Sequence, residues 1–192
     1  FLVGLCYYDA GTRNFYTRDR RVAAPGDLTG LTIRTQESSS AIRTVRALGA
    51  SATPIAFGEL YTALQQGVVD GAENNPVTIH LSRHYEICKY LTLNEHTAVP
   101  DVLIFSRHLW EQLTPQEQQW VLTAAEESER FQRGLWNEAT QTALDAVRAA
   151  GVEVIVPDRI PFQQRVVTLN EEIAREQPVI GALYRRILEA HP

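Results

Sequence analysis

The sequence predicts an α/β protein built on a mixed or parallel sheet, and three observations carry that expectation. Short apolar runs of strand length alternate with segments of helical period along the chain. The stretch Thr53–Pro76, TPIAFGELYTALQQGVVDGAENNP, packs a whole extended–helix–strand alternation into one short piece. A capped helical run over Pro115–Ala150 is too long for a single small lobe.

Composition narrows the function class. The 192 residues are 44% hydrophobic and 21% charged, enough for one large domain or two small lobes with a real core. A net charge of −5 without any Lys/Arg run argues against the electrostatic footprint of a nucleic-acid binder. No apolar run approaches the roughly 20 residues of a membrane span. Cys6 and Cys88 allow at most one bridge and no disulfide framework. Neither has metal or redox spacing, so both read as small buried apolar residues. Phe1 opens an apolar strand-length run, FLVGLCYY, with no signal-peptide features. A fully buried strand needs neighbours on both sides, so upstream residues of the same fold are expected.

In chain order, the expected first strand is Leu2–Tyr8, closed by Asp9-Ala10-Gly11, and the alternating Gly11–Thr17 forms a second. Pro25–Leu28 turns into a short strand over Leu31–Arg34, and Ser38–Ser40 offers N-caps for a helix through Leu48 stopped by Gly49. In the central stretch, Leu60, Ala63 and Leu64 repeat on one helical face and Gly67 supplies a left-handed stop. Val68 and Val69 then start a buried strand that Asp70-Gly71 turns, leaving Glu73-Asn74-Asn75 where the strand runs out. Val77–Ile87 has helical spacing, Lys89–Leu93 and Val102–Phe105 read as strands, and Asn94-Glu95-His96 lies between them. Ser106 caps a short helix. Thr114-Pro115-Gln116-Glu117 is a capping box with proline at the first helical position. It opens a helix with an apolar stripe of Trp120, Ala124, Phe131, Leu135, Ala139, Ala143 and Val147, with Gly134 as a candidate bend. Val152–Val156 is a strand, and two helices separated by Pro178 fill Ile160–Ala190.

Polar residues at strand ends of an open α/β sheet are where small ligands bind, which makes the Glu73-Asn74-Asn75 elbow a candidate pocket. Neither a G-x-G-x-x-G nor a Walker-type loop occurs, which argues against nucleotide binding by the common routes. No G-x-S-x-G elbow surrounds a serine. His80 and His84 sit four apart, a spacing two metal ligands can share, but Arg83 intervenes and the glutamate of H-E-x-x-H is missing; no metal and no cofactor are expected. The arginines carry more. Arg34 ends a strand whose Leu31 and Ile33 are apolar, so its side chain either runs out to solvent or faces a pocket. Arg13 has a similar extended setting. A guanidinium fork matches a carboxylate through two parallel bonds.

These residues fall in a recognisable frame. Asp27–Arg34 (DLTGLTIR), Leu48-Gly49-Ala50, Pro54–Tyr61, Ala63-Leu64-Gln65 and Val69–Asn74 resemble the substrate-binding component of TRAP transporters, the tripartite ATP-independent periplasmic uptake systems for organic acids. The similarity extends over essentially the whole chain. It implies a two-lobed periplasmic binding protein of type II-like architecture, with a long helix along both lobes and the N-terminal part of one lobe outside this sequence. Residues 1–12 and 100–139 would belong to lobe I, and 13–99 and 140–192 to lobe II. The resemblance also implies that Arg34 holds the ligand carboxylate, with Arg13, Asn74 and Phe57 in the same site. Asn75 stands before Pro76, where members binding sialic acid or C4-dicarboxylates place the proline directly. With Glu95-His96-Thr97 this is similar to members that bind sugar acids, uronates or aldonates. Glu73 or Glu95 facing the cleft would repel a second ligand carboxylate, whereas sugar hydroxyls donate to carboxylates; Glu73, Asn75 and His96 therefore join the candidate set.

The implied protein is a periplasmic, non-enzymatic monomer that hands its ligand to TRAP membrane permease subunits. A C4-dicarboxylate or keto-acid binder of the same family is the alternative. Two rivals of other classes are an enzyme using Glu95 and His96 as acid and base, and an interaction protein that pairs through Trp120, Phe131, Leu135 and Trp136.

Overall fold

A computed structural model describes residues 1–190. Eight strands and seven α-helices follow in order: β1 Leu2–Tyr8, β2 Thr12–Thr17, β3 Thr32–Thr35, α1 Ser39–Ala47, β4 Ser51–Pro54, α2 Leu60–Gln66, β5 Gly71–Asn74, α3 Pro76–Leu81, β6 Tyr90–Ala98, β7 Asp101–Ser106, α4 Arg107–Trp110, α5 Pro115–Ala149, β8 Glu153–Ile155, α6 Ile160–Glu176 and α7 Pro178–Ala190. The expected α/β class is what folds. A six-stranded sheet runs in the order β4-β3-β5-β2-β6-β8, and β1 pairs only with β7 in a separate antiparallel ribbon.

Within the large sheet β3 is parallel to β4 and β5, β2 is antiparallel to both β5 and β6, and β8 is parallel to β6. It is therefore a mixed sheet with one reversed strand. Directly paired residues project to the same face, and the register sorts the core accordingly. Tyr16, Ala72 and Leu91 form one row and meet Leu60, Leu64, Ile79 and Val147 from α2, α3 and α5. Phe15 and Ile33 face the other way, against Val45 of α1, Leu48 just after it and Phe162 of α6.

Local signals place most boundaries. Ser38 accepts the amide of Ala41 at 3.4 Å to cap α1, and Gly67 closes α2 at φ +74. Thr114 and Glu117 form the reciprocal capping box of α5. α5 runs 35 residues without a break at Gly134, about 52 Å at the usual rise, and touches both sheets. Gln132 accepts Asp9 N at 2.9 Å and donates to Asp9 O at 2.7 Å beside β1, while Val147 is buried under the large sheet. Cys6 and Cys88 are buried and unbridged.

Three expectations need correction. Val68 and Val69 precede the strand rather than forming it: Asp70 locks the entry to β5 by accepting Thr32 N at 2.7 Å, and Gly71, placed in the expected turn, is the first strand residue. Only glycine fits there, because a Cβ would lie 2.3 Å from the Tyr16 carbonyl. Asn94-Glu95-His96 lies inside β6, which continues to Ala98 past a bulge opposite Arg13–Phe15. At that bulge Glu95 adopts φ +49 and donates its amide to Asn14 Oδ1 at 3.0 Å. The stripe of α5 is buried only in its C-terminal half, at Ala143 and Val147; Trp120, Phe131 and Leu135 are exposed.

Candidate functional site

Because β3, β4, β5 and β6 point one way and β2 the other, their C-terminal ends and the start of β2 make one rim of the sheet. Every candidate from the sequence lies on it. Arg34 is the penultimate residue of β3, Phe57 follows the end of β4, Glu73 and Asn74 close β5, Asn75 follows them, His96 is near the end of β6, and Arg13 is second in β2. The rim presents two clusters, one on each face.

The first cluster centres on Arg34. Ile33 turns into the core beside α1, so Arg34 takes the opposite face, opposite Ala72. It is 3% exposed; the solvent-directed alternative does not occur. Its Nε donates to Ile55 O at 2.8 Å, and its Cζ sits 5.8 Å from the centroid of the Phe57 ring. Among the described residues no carboxylate lies within ion-pair distance of it, and its two terminal nitrogens make no hydrogen bond. Burial pulls its pKa below the ordinary guanidinium value, yet such a group stays charged in proteins. Asn74, two residues beyond Ala72 and so on the same face, is 7% exposed and accepts Asn75 N at 2.9 Å.

The second cluster is an ion pair with attachments. Arg13 donates Nε and Nη2 to the two Glu73 carboxylate oxygens, the latter at 2.8 Å, and Nη2 also to Glu73 O at 2.9 Å. Its Nη1 reaches Asn74 Oδ1 at 3.4 Å, linking the two faces. His96 stacks on Phe15 with ring centroids 4.4 Å apart, places Nε2 3.6 Å from Glu73 Oε2, and has Nδ1 3.1 Å from Asn94 Oδ1. Burial pushes the Glu73 carboxyl up, but hydrogen bonds from His96 and Arg13 outweigh it and hold it below the usual range. Arg13, Glu73 and His96 line a cavity of about 140 Å³ with Gln36, Ser38 and Thr44 of the β3–α1 turn and α1.

The structure separates other candidates from these. Asn75 has both polar atoms engaged: Oδ1 accepts Thr78 N at 2.7 Å to cap α3, and Nδ2 donates to Ala10 O at 3.2 Å. Glu95 does not join His96; its Oε2 pairs with Arg159 Nη1 at 2.5 Å. Glu73 and Glu95 are thus both compensated, so neither repels a second ligand carboxylate as their sequence positions suggest. His80 and His84 do not share a face. His80 stacks on Tyr85, while the buried His84 meets Tyr16, Nδ1 to hydroxyl 2.9 Å. No three His, Cys, Asp or Glu side chains converge as metal ligands among the described residues. The sequence did not single out Tyr16, Asn94 or His84 for this site. Asn14 and Asn94, asparagines within strand-forming runs that the fold leaves only 1–2% exposed, are the signal that could have led there.

Comparison with known proteins adds the rest. The family described as DctP, bacterial extracellular solute-binding protein, family 7, matches residues 2–177. A crystal structure of a TRAP periplasmic solute-binding protein from Chromohalobacter salexigens with bound D-glucuronate superposes with a TM-score of 0.93 at 33% identity, covering 99% of this chain and 64% of that one. One from a Bradyrhizobium species in complex with α/β-D-galacturonate gives 0.86 at 39% identity, covering 98% and 63%. The 2,3-diketo-L-gulonate-binding periplasmic protein YiaO of Escherichia coli is 33% identical over 159 residues, 82% of this chain and 48% of that protein. The chain spans about half the length of the curated relatives that it matches.

Proposed function

We infer, from the premise that this chain belongs to the bacterial extracellular solute-binding proteins of family 7, that it is the ligand-capturing part of a TRAP uptake system and that its ligand is a sugar acid of the uronate class. The observation that carries the inference is Arg34. A guanidinium on a residue only 3% exposed, with no carboxylate within ion-pair distance among the described residues, is a charge without a direct partner, and such a charge is costly until an anion meets it. With Nε held by Ile55 O, the two terminal nitrogens are left for the two oxygens of one carboxylate. Phe57, half-exposed beside Arg34, offers an apolar face to a sugar ring. Asn74, on the same face as Arg34, supplies a neutral hydrogen-bonding group suited to a hydroxyl.

Arg13 serves this site already neutralised by Glu73, as a donor to Asn74 rather than as a second free cation. Asn75 supports the rim by capping α3. The β1–β7 ribbon with the first half of α5 belongs to one lobe and the six-stranded sheet to the other; the ligand is gripped by both when they close. The protein binds without chemistry: Glu95 and His96, the acid–base pair the sequence offers, are engaged with different partners. It acts in the periplasm as a monomer and presents the closed form to membrane permease subunits.

A thermal-shift series tests this. D-glucuronate and D-galacturonate raise the melting temperature, because a ligand that binds only the folded state stabilises it by about 2.7 kcal/mol at a hundred times its Kd. Succinate and D-gluconate give smaller shifts. No shift with either uronate, or a larger one with succinate, overturns the proposal.

A further inference from the structure

Arg34, Ala72 and Tyr16 lie side by side on three adjacent strands, β3, β5 and β2, all on the face that carries α2 and α3. The middle residue has only a methyl group, so the space between the guanidinium and the phenol must be filled from above. His84, in the 3₁₀ turn after α3, fills it. It is 1% exposed, its ring stacks on Tyr16 with centroids 5.5 Å apart, and its Nδ1 lies 2.9 Å from the Tyr16 hydroxyl. The same ring lies 5.9 Å from Phe57, the ring that carries Arg34 at 5.8 Å on its face.

We propose that His84 is a positioning residue for Arg34: pinned by Tyr16, it fixes the Phe57 ring against which the guanidinium lies, and so sets the direction of the two nitrogens that meet the ligand. This rests on the uronate-binding function above. In this arrangement the imidazole is neutral, and its tautomer sets which of the Tyr16 hydroxyl and Nδ1 donates to the other. The charged and titratable groups around His84 favour that state. Tyr16 faces it from β2, Arg34 from β3 and Tyr61 from α2, with ring centroids 6.4 Å apart. Cys88, just beyond that turn, bonds its amide to the His84 carbonyl. The nearby carboxylate, Glu86, is taken by the Tyr61 hydroxyl at 2.8 Å and by Arg83. Burial and the Arg34 charge depress the imidazole to about 4, in keeping with that geometry.

Calorimetric titration of D-galacturonate into the protein and its variants decides the matter. Tyr16→Phe adds no bulk and leaves the buried Nδ1 without its hydrogen-bond partner, a loss that weakens binding by roughly fivefold or more. His84→Phe keeps a ring and removes the hydrogen bond to Tyr16, and is expected to weaken binding similarly. The double variant loses no more than the worse single one, as coupled partners do. A second readout separates positioning from mere stability: when galacturonate neutralises Arg34, the His84 proton resonance titrates at higher pH than in the free protein. Should His84→Phe fail to fold, Tyr16→Phe and the titration suffice. Wild-type affinity in Tyr16→Phe with only a lower melting temperature overturns the inference and leaves the function standing. A wild-type protein that binds no uronate overturns both.

Discussion

Arg13 and Glu73 face each other across β2 and β5, with the guanidinium Nε and Nη2 on the two carboxylate oxygens and the carboxyl side chain only 2% exposed. Two charges have been taken out of water together, and their worth lies in staying together. Breaking such a pair by removing one partner costs about 3–5 kcal/mol, because the other charge is left buried and alone. Glu73→Gln is therefore expected to lower unfolding free energy by about that amount in urea denaturation, whereas an exposed pair such as Arg21–Glu153 is worth well under about 1 kcal/mol. The pair has a pH signature. The folded-state pKa of Glu73 is depressed below 4.5, so its stabilisation is complete above that value and is lost as pH falls through the folded pKa.

His84 contributes in a different window. Its pKa falls from 6.5 to about 4 on folding, through burial first and the Arg34 charge second. Between those two values the unfolded chain holds more protons than the folded one, so stability rises with pH across that range. At about 1.4 kcal/mol per unit the whole effect is on the order of 3 kcal/mol. Denaturation at pH 7 and pH 4.5 in the wild type and in His84→Phe checks it: the variant's pH dependence is flatter between those points.

How much of this was legible beforehand follows from where the information sits. Caps are local chemistry, and Ser38, Gly67 and the Thr114–Glu117 box could be read because each acts within a few residues. Arg34 stood out for the same reason, as a charge in an alternating strand. The start of β5 is hidden in the sequence because Asp70-Gly71 has the composition of a turn, while its role depends on Thr32, far away in sequence. The second half of β6 is hidden in the same way, because a bulge lets polar residues continue a strand. The Tyr16–His84 contact spans 68 positions, and no periodicity in the chain announces it.

Asn75 tests the division between support and contact. Its Oδ1 caps α3 at Thr78 N and its Nδ2 holds Ala10 O, so Asn75→Ala should cost about 1 kcal/mol of stability, the usual worth of an N-cap. Affinity for galacturonate in calorimetry should change by less than about threefold. A loss of ten-fold or more in affinity at unchanged melting temperature would return Asn75 to the ligand contacts.

The sharpest test is Arg34 itself. Removing the guanidinium takes away both bonds to the ligand carboxylate and the charge behind them, so Arg34→Ala should weaken uronate binding by roughly 2–5 kcal/mol, seen mainly as faster release in stopped-flow measurements. The variant also relieves a buried, uncompensated cation, so its melting temperature without ligand should hold or rise. That combination, a more stable protein that has lost its ligand, separates a binding arginine from a structural one. Arg34→Lys should recover little affinity. It restores the charge but not the planar fork, and its ammonium, with no Nε, cannot hold the Ile55 carbonyl and present two further donors in one plane. Full-affinity binding by the alanine variant would remove Arg34 from the site.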